Sequence, residues 1–198
     1  MPPQAGLLAP STRGITAMRK WLPALALSTA FISSVLAAPQ ALAQDSKPVS
    51  EKVPGTSVEF SPSAARDSQT RALAAANPAA VQAAATLCGS GYKLSIAEVL
   101  PDSRRFGTLF TYTKYVSGGT DGACAVFDNN LGVKKHMKLK LCWTTCKVDE
   151  GTYLEYAGPV KFESSESHFD PACAVVNALM WEGSVAIIDR QTHVGACD

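Results

Sequence analysis

The residues best placed to do chemistry are four basic side chains spaced two apart, Lys134, His136, Lys138 and Lys140. They alternate with Val133, Lys135, Met137, Leu139 and Leu141. In an extended strand, side chains two apart share a face and recur at about 7 Å. The odd positions, mostly apolar, then point inward, and the even ones form an outward ladder of positive charge. Such a ladder suits a linear polyanion, for example an anionic cell-wall or capsule polymer. The pattern also has a purely structural use, because lysines on an exposed or edge strand prevent edge-to-edge pairing.

Other candidate chemistry is sparse. No serine sits in a Gly-x-Ser-x-Gly elbow, and His168, in Ser167-His168-Phe169-Asp170, and His193 have no recognisable partner motif. Glu155, Glu163, Glu166 and Asp170 cluster along one segment and would work as a glycosidase pair only if the fold set two of them face to face. The three histidines are scattered rather than set at ligand intervals, and no C-x-x-C pair is present, so no metal is expected. No catalytic residue and no cofactor is assigned. Tyr92, Tyr112, Tyr115, Tyr153 and Tyr156 offer aromatic platforms for sugars, but in strands they serve equally as core or sheet-face residues.

The six cysteines, Cys88, Cys124, Cys142, Cys146, Cys173 and Cys197, all lie in the second half of the chain apart from Cys88, and an even count in an exported protein reads as disulfides. Cys142 and Cys146 would lie roughly 13 Å apart in one regular strand, beyond the limit near 7 Å for a bridge. They can pair only if Trp143-Thr144-Thr145 forms a tight turn or bulge. Spacing alone leaves the connectivity open; the pairing taken is that local bridge, with Cys88–Cys124 and Cys173–Cys197.

Export is read from the first 43 residues. Met18-Arg19-Lys20 is a positive n-region, Trp21 to Ala38 an apolar stretch, and Pro39 with Ala41-Leu42-Ala43 a small-residue cleavage site. Cleavage after Ala43 and a secreted or cell-surface location are expected, with no stable membrane insertion afterwards. Residues 1–17 have no place in such a signal, which makes Met18 an alternative start. Arg13, Arg19 and Lys20 are the only charges before residue 44. Taking those three from 18 Lys+Arg leaves 15 against 17 Asp+Glu. A near-neutral mature chain gives no reason to expect nucleic-acid binding.

The elements that must position these groups follow from composition and period. Residues 44–69, rich in Ser, Pro, Lys and Glu, read as a flexible linker. Residues 70–86 read as an Ala-rich helical segment, with Asn77-Pro78 starting a second short helix. Residues 87–198 read as a disulfide-bonded β-rich domain. Strands are expected over Tyr92–Leu100, Phe106–Tyr115, Ala123–Phe127, Val133–Trp143, Thr152–Ala157 and Val160–Glu163, with a last one over Ser184–Asp189. Ser117 to Gly122 is expected as a loop and Asp149-Glu150-Gly151 as a turn; Ala172 to Trp181 is apolar and ambiguous. The fold class is therefore all-β, a small antiparallel meander, barrel or sandwich, preceded by the Ala-rich helix and the linker.

Cys88-Gly89-Ser90-Gly91-Tyr92, the run Gly151-Thr152-Tyr153-Leu154-Glu155-Tyr156-Ala157-Gly158-Pro159-Val160, and a cysteine at each end of the closing segment together resemble the spore-associated protein A family of secreted actinobacterial proteins. The resemblance covers roughly residues 87–198. It implies a small secreted protein found with spores or the cell surface, with no established enzymatic activity and no catalytic residues to carry over. The chain departs from that pattern by the Cys142/Cys146 pair, the N-terminal segments and Asp170-Pro171-Ala172 before Cys173. The function expected is non-enzymatic surface association through the basic strand. A secreted protease inhibitor using the Trp143–Thr145 loop, or a small extracellular enzyme, is the rival reading.

Overall fold

The structure, a computed structural model, describes residues 50–197. The signal segment over residues 1–43 and the alternative start at Met18 lie outside the described residues. Two short helices precede eight strands: α1 (Ser68–Ala76), α2 (Pro78–Cys88), β1 (Lys93–Leu100), β2 (Gly107–Lys114), β3 (Asp121–Asn129), β4 (Lys135–Cys142), β5 (Cys146–Tyr153), β6 (Tyr156–Ser164), β7 (Val175–Glu182) and β8 (Val185–His193). Sheet I runs β1-β2-β3-β6 and sheet II runs β5-β4-β7-β8, every pairing antiparallel. The fold is an all-β sandwich with a helical cover.

Alternation explains the layers. Leu109, Ala123, Ala125 and Phe127 of sheet I meet Met137, Leu139, Leu141, Val176, Ala178 and Met180 of sheet II in one buried core. The opposite face of sheet I, with Phe110, Tyr112, Cys124 and Val126, packs under Ala74, Val81, Ala84 and Ala85 of the two helices. Strands covered on both faces lose the buried-exposed alternation, which is why β2 and β3 are buried along almost their whole length, the threonines of β2 included. Each large side chain fully buried there contributes about 1.5–3 kcal/mol.

The helices start and stop where local chemistry dictates. Asp67 caps α1, its carboxylate accepting from the Gln69 N–H at 3.0 Å. Asn77-Pro78 separates the two helices as expected, although the Asn77 side chain does not cap α2; its amide donates back to the Leu73 carbonyl at 2.9 Å and closes α1. Alpha2 ends at Gly89, whose φ of 106° lies in the region that glycine adopts without steric cost. The alanine helices are thus a cover rather than a stalk, because small side chains let them lie close to the aromatic face of sheet I.

Several expectations are corrected. Residues 50–69, read from composition as the end of a flexible linker, are packed: Val53, Val58, Phe60 and Ala64 are buried, and Phe60 forms a β-bridge to Leu94. A handful of large apolar residues was enough, because sheet I offers them an already apolar face. Asp149-Glu150-Gly151, read as a turn, lies inside β5, and the turn falls at Leu154-Glu155 instead. Turn-forming residues are overridden there by pairing with β4, whose register sets Lys138 against Glu150 and Leu139 against Asp149. The ambiguous run after Ala172 becomes β7, and Asp121 and Gly122 begin β3 rather than end a loop.

All six cysteines are bridged, as Cys88–Cys124, Cys142–Cys146 and Cys173–Cys197. Cys142 and Cys146 close the β4–β5 hairpin with Cα atoms 4.1 Å apart, the tight turn that their spacing required. Cys88–Cys124 ties the end of α2 to the middle of β3 and so holds the helical layer on sheet I.

Candidate binding face

Sheet I is covered on both sides, whereas the outer face of sheet II carries no further layer among the described residues. Strand register places its side chains in rows. Thr152, His136 and Trp181 form one row; Glu150, Lys138 and Leu179 the next; Val148, Lys140 and Asn177 the third; the Cys142–Cys146 bridge and Val175 the last. Beta8 extends the last three rows with Asp189, Gln191 and His193. This face is part aromatic, part aliphatic and part charged, and it is open to solvent, with Val148 50% exposed.

The structure brings His136, Lys138 and Lys140 onto this one face, while Met137, Leu139 and Leu141 point into the core. Lys134 and Val133 precede β4 and are exposed rather than part of the strand. Lys135 pairs with Glu182 at the end of the sheet. Beta4 is an interior strand, hydrogen-bonded to β5 on one side and β7 on the other. Its lysines therefore guard no free edge, and the edge-protection use of the pattern does not apply.

The ladder is not a row of free cations. Glu150 lies opposite Lys138 and accepts from its Nζ at 2.9 Å through one oxygen, while the other oxygen is 3.1 Å from His136 Nε2. Lys138 first, and His136 second, hold the Glu150 carboxyl below the usual carboxylate range. His136 also meets Trp181 edge-on, with ring centroids 4.7 Å apart. Among the described residues Lys134 and Lys140 make no ion pair. Glu150 escaped a sequence reading because it sits among turn-forming residues. Trp181 and Leu179 escaped because β7 is apolar on both faces, so that only the alternation of Val176, Ala178 and Met180 with Asn177, Leu179 and Trp181 betrays an outer face.

The other groups considered for chemistry are dispersed into separate contacts. Glu163 accepts from Lys114 Nζ at 2.6 Å and from the Tyr92 hydroxyl at 3.0 Å. Asp170 accepts from the Tyr115 hydroxyl at 2.7 Å and from the Ala172 N–H at 2.9 Å. Glu166 lies 3.1 Å from His168. In the Trp143–Thr145 loop only the two threonines are exposed, because Trp143 folds back edge-on to Phe169. No group of three metal-ligating side chains occurs among the described residues, and none of their helices is long and apolar enough to cross a membrane. No protein-family model, curated protein or solved structure significantly matches the chain.

Proposed function

We propose that the protein is a secreted, non-enzymatic protein that attaches to the cell or spore surface through the outer face of sheet II, its ligand an anionic wall or spore polymer. The observation that carries this reading is the placement of β4. Its basic residues lie in the middle of a sheet face left uncovered among the described residues, where edge protection cannot account for them. Lys140, with Lys134 beside the strand, supplies charge without an ion-pair partner among the described residues, and Lys138 can exchange Glu150 for a ligand anion because an exposed ion pair is worth little. Trp181 and Leu179 add apolar contact next to the charge, and aromatic residues are enriched in recognition surfaces. Three disulfides suit the oxidising compartment that secretion implies. The resemblance to the spore-associated protein A family supports the same reading.

The test is co-sedimentation with insoluble cell-wall and spore preparations, and titration with inorganic polyphosphate as a soluble linear polyanion. The triple variant Lys134→Gln, Lys138→Gln, Lys140→Gln should keep normal melting and lose most of the binding, an effect that added salt reproduces in the unmodified protein. Binding by the triple variant at low salt equal to that of the unmodified chain overturns the reading. Recovery of the unmodified chain only in the soluble fraction, together with inhibition of an extracellular protease, replaces it with the inhibitor reading.

A further inference from the structure

A second region, on the opposite side of the molecule's sheet I core, has the features of a small-molecule site. Asp128 is the penultimate residue of β3, on the helix-covered face, between Thr108 of β2 and Tyr156 of β6 in the strand register. It lines two adjoining cavities, of about 480 and about 340 Å³, where the α2 cover gives out. The larger is walled by Ala83, Leu87, Val126, Leu154 and Tyr156. Within it the Asp128 carboxylate has no hydrogen bond or ion pair among the described residues.

Three neighbouring donors are engaged elsewhere. The Asn130 amide donates to the Thr108 hydroxyl and the Arg105 carbonyl, the Asn129 amide to the carbonyls of Val133 and Tyr153, and the Tyr112 hydroxyl to the Val81 carbonyl. Burial pushes the Asp128 carboxyl up to about 6. Glu155 lines the same cavity, and Arg105 lines only the smaller one.

We infer that this cleft binds an ammonium group carried on an apolar stem, with Asp128 accepting its hydrogen bonds while Leu87, Val126 and Tyr156 enclose the stem. The chemistry selects that class. An anion would be repelled by Asp128 and Glu155. A neutral apolar ligand would desolvate the carboxylate further without a partner, at a cost. A hydroxyl donates a hydrogen bond but no compensating charge. An ammonium supplies both, and its hydrocarbon stem matches the walls. Two sources carry this group, a free alkylamine and the lysine side chain of a peptide.

Calorimetric titration of the full chain, with n-butylammonium as probe and n-butanol as its uncharged counterpart, tests the inference. At about pH 8, n-butylammonium should bind at least tenfold more tightly than n-butanol, and its affinity should fall as the solution is taken to about pH 5 and Asp128 gains a proton. Asp128→Asn should reduce affinity at least tenfold and abolish the pH dependence. That arm separates the titration of Asp128 from any contribution of Glu155, Tyr156 or, in the adjoining cavity, Arg105. Ala83→Phe, which fills the mouth and leaves Asp128 in place, should also weaken binding. Tighter binding of the peptide acetyl-Ala-Lys-Ala-amide than of n-butylammonium identifies a protein lysine as the occupant, and the reverse order a free amine. Absence of n-butylammonium binding, equal binding of n-butanol, or unchanged affinity in a folded Asp128→Asn variant overturns the inference. Because none of these residues lies on the outer face of sheet II, failure here and failure of surface attachment are distinguishable.

Discussion

The Tyr112 hydroxyl, in the middle of β2, donates to the main-chain carbonyl of Val81 in α2 at 2.8 Å, and both residues are fully buried. This bond joins the helical layer to sheet I at a point where no water competes. Burial foremost, with the nearby Asp128 charge second, pushes the Tyr112 hydroxyl far above the ordinary tyrosine range, so it remains a donor at any physiological pH.

Replacing Tyr112 by phenylalanine keeps the ring packing and leaves the Val81 carbonyl without its side-chain donor. The expected loss is about 1–2 kcal/mol of stability with unchanged β-sheet content, measured by denaturant unfolding and far-ultraviolet circular dichroism. A neutral Tyr112→Phe substitution would show that the helical layer is held by apolar packing and the Cys88–Cys124 bridge alone.

Asp128 makes stability depend on pH. Its carboxyl is raised from 3.8 to about 6 by burial, so the folded state holds the proton more tightly than the unfolded chain does. The stabilisation from that proton is fully present below about pH 4 and is lost as pH rises through about 6, amounting to roughly 3 kcal/mol at most. Asp128→Asn should therefore melt higher than the unmodified protein at pH 8 and nearly level with it at pH 3.5. Thermal melts at the two pH values check this, and a variant that melts lower at pH 8 would mean that the carboxylate is stabilised by its surroundings after all.

The three bridges should differ in what they contribute. Constraining the unfolded chain stabilises more when the closed loop is longer. Cys88–Cys124 spans 36 residues and Cys142–Cys146 spans 4. Replacing the first pair by alanine should cost roughly 4 kcal/mol and the second roughly 2 kcal/mol, by equilibrium unfolding in urea. Thiol labelling of the denatured, unreduced protein should find no reactive cysteine.

Alternation and cysteine placement were enough to determine the all-β class, the inward side of β4 and the need for a tight turn between Cys142 and Cys146, because each depends on a local period or on the short reach of a bridge. The break at Asn77-Pro78 was equally legible, since proline and its neighbour restrict the backbone wherever they occur. Contacts distant in sequence were not legible. Phe60 and Val53 looked like stray apolar residues in a polar stretch until sheet I supplied a face for them, and hydrophobic burial depends on what arrives from elsewhere in the chain. Glu150 looked like part of a turn until the β4–β5 register set it against Lys138. Whether the basic ladder guards an edge or occupies the centre of an open face was decided only by tertiary structure, because strand order is set by which strands pair across the sandwich, and that information lies in no single segment.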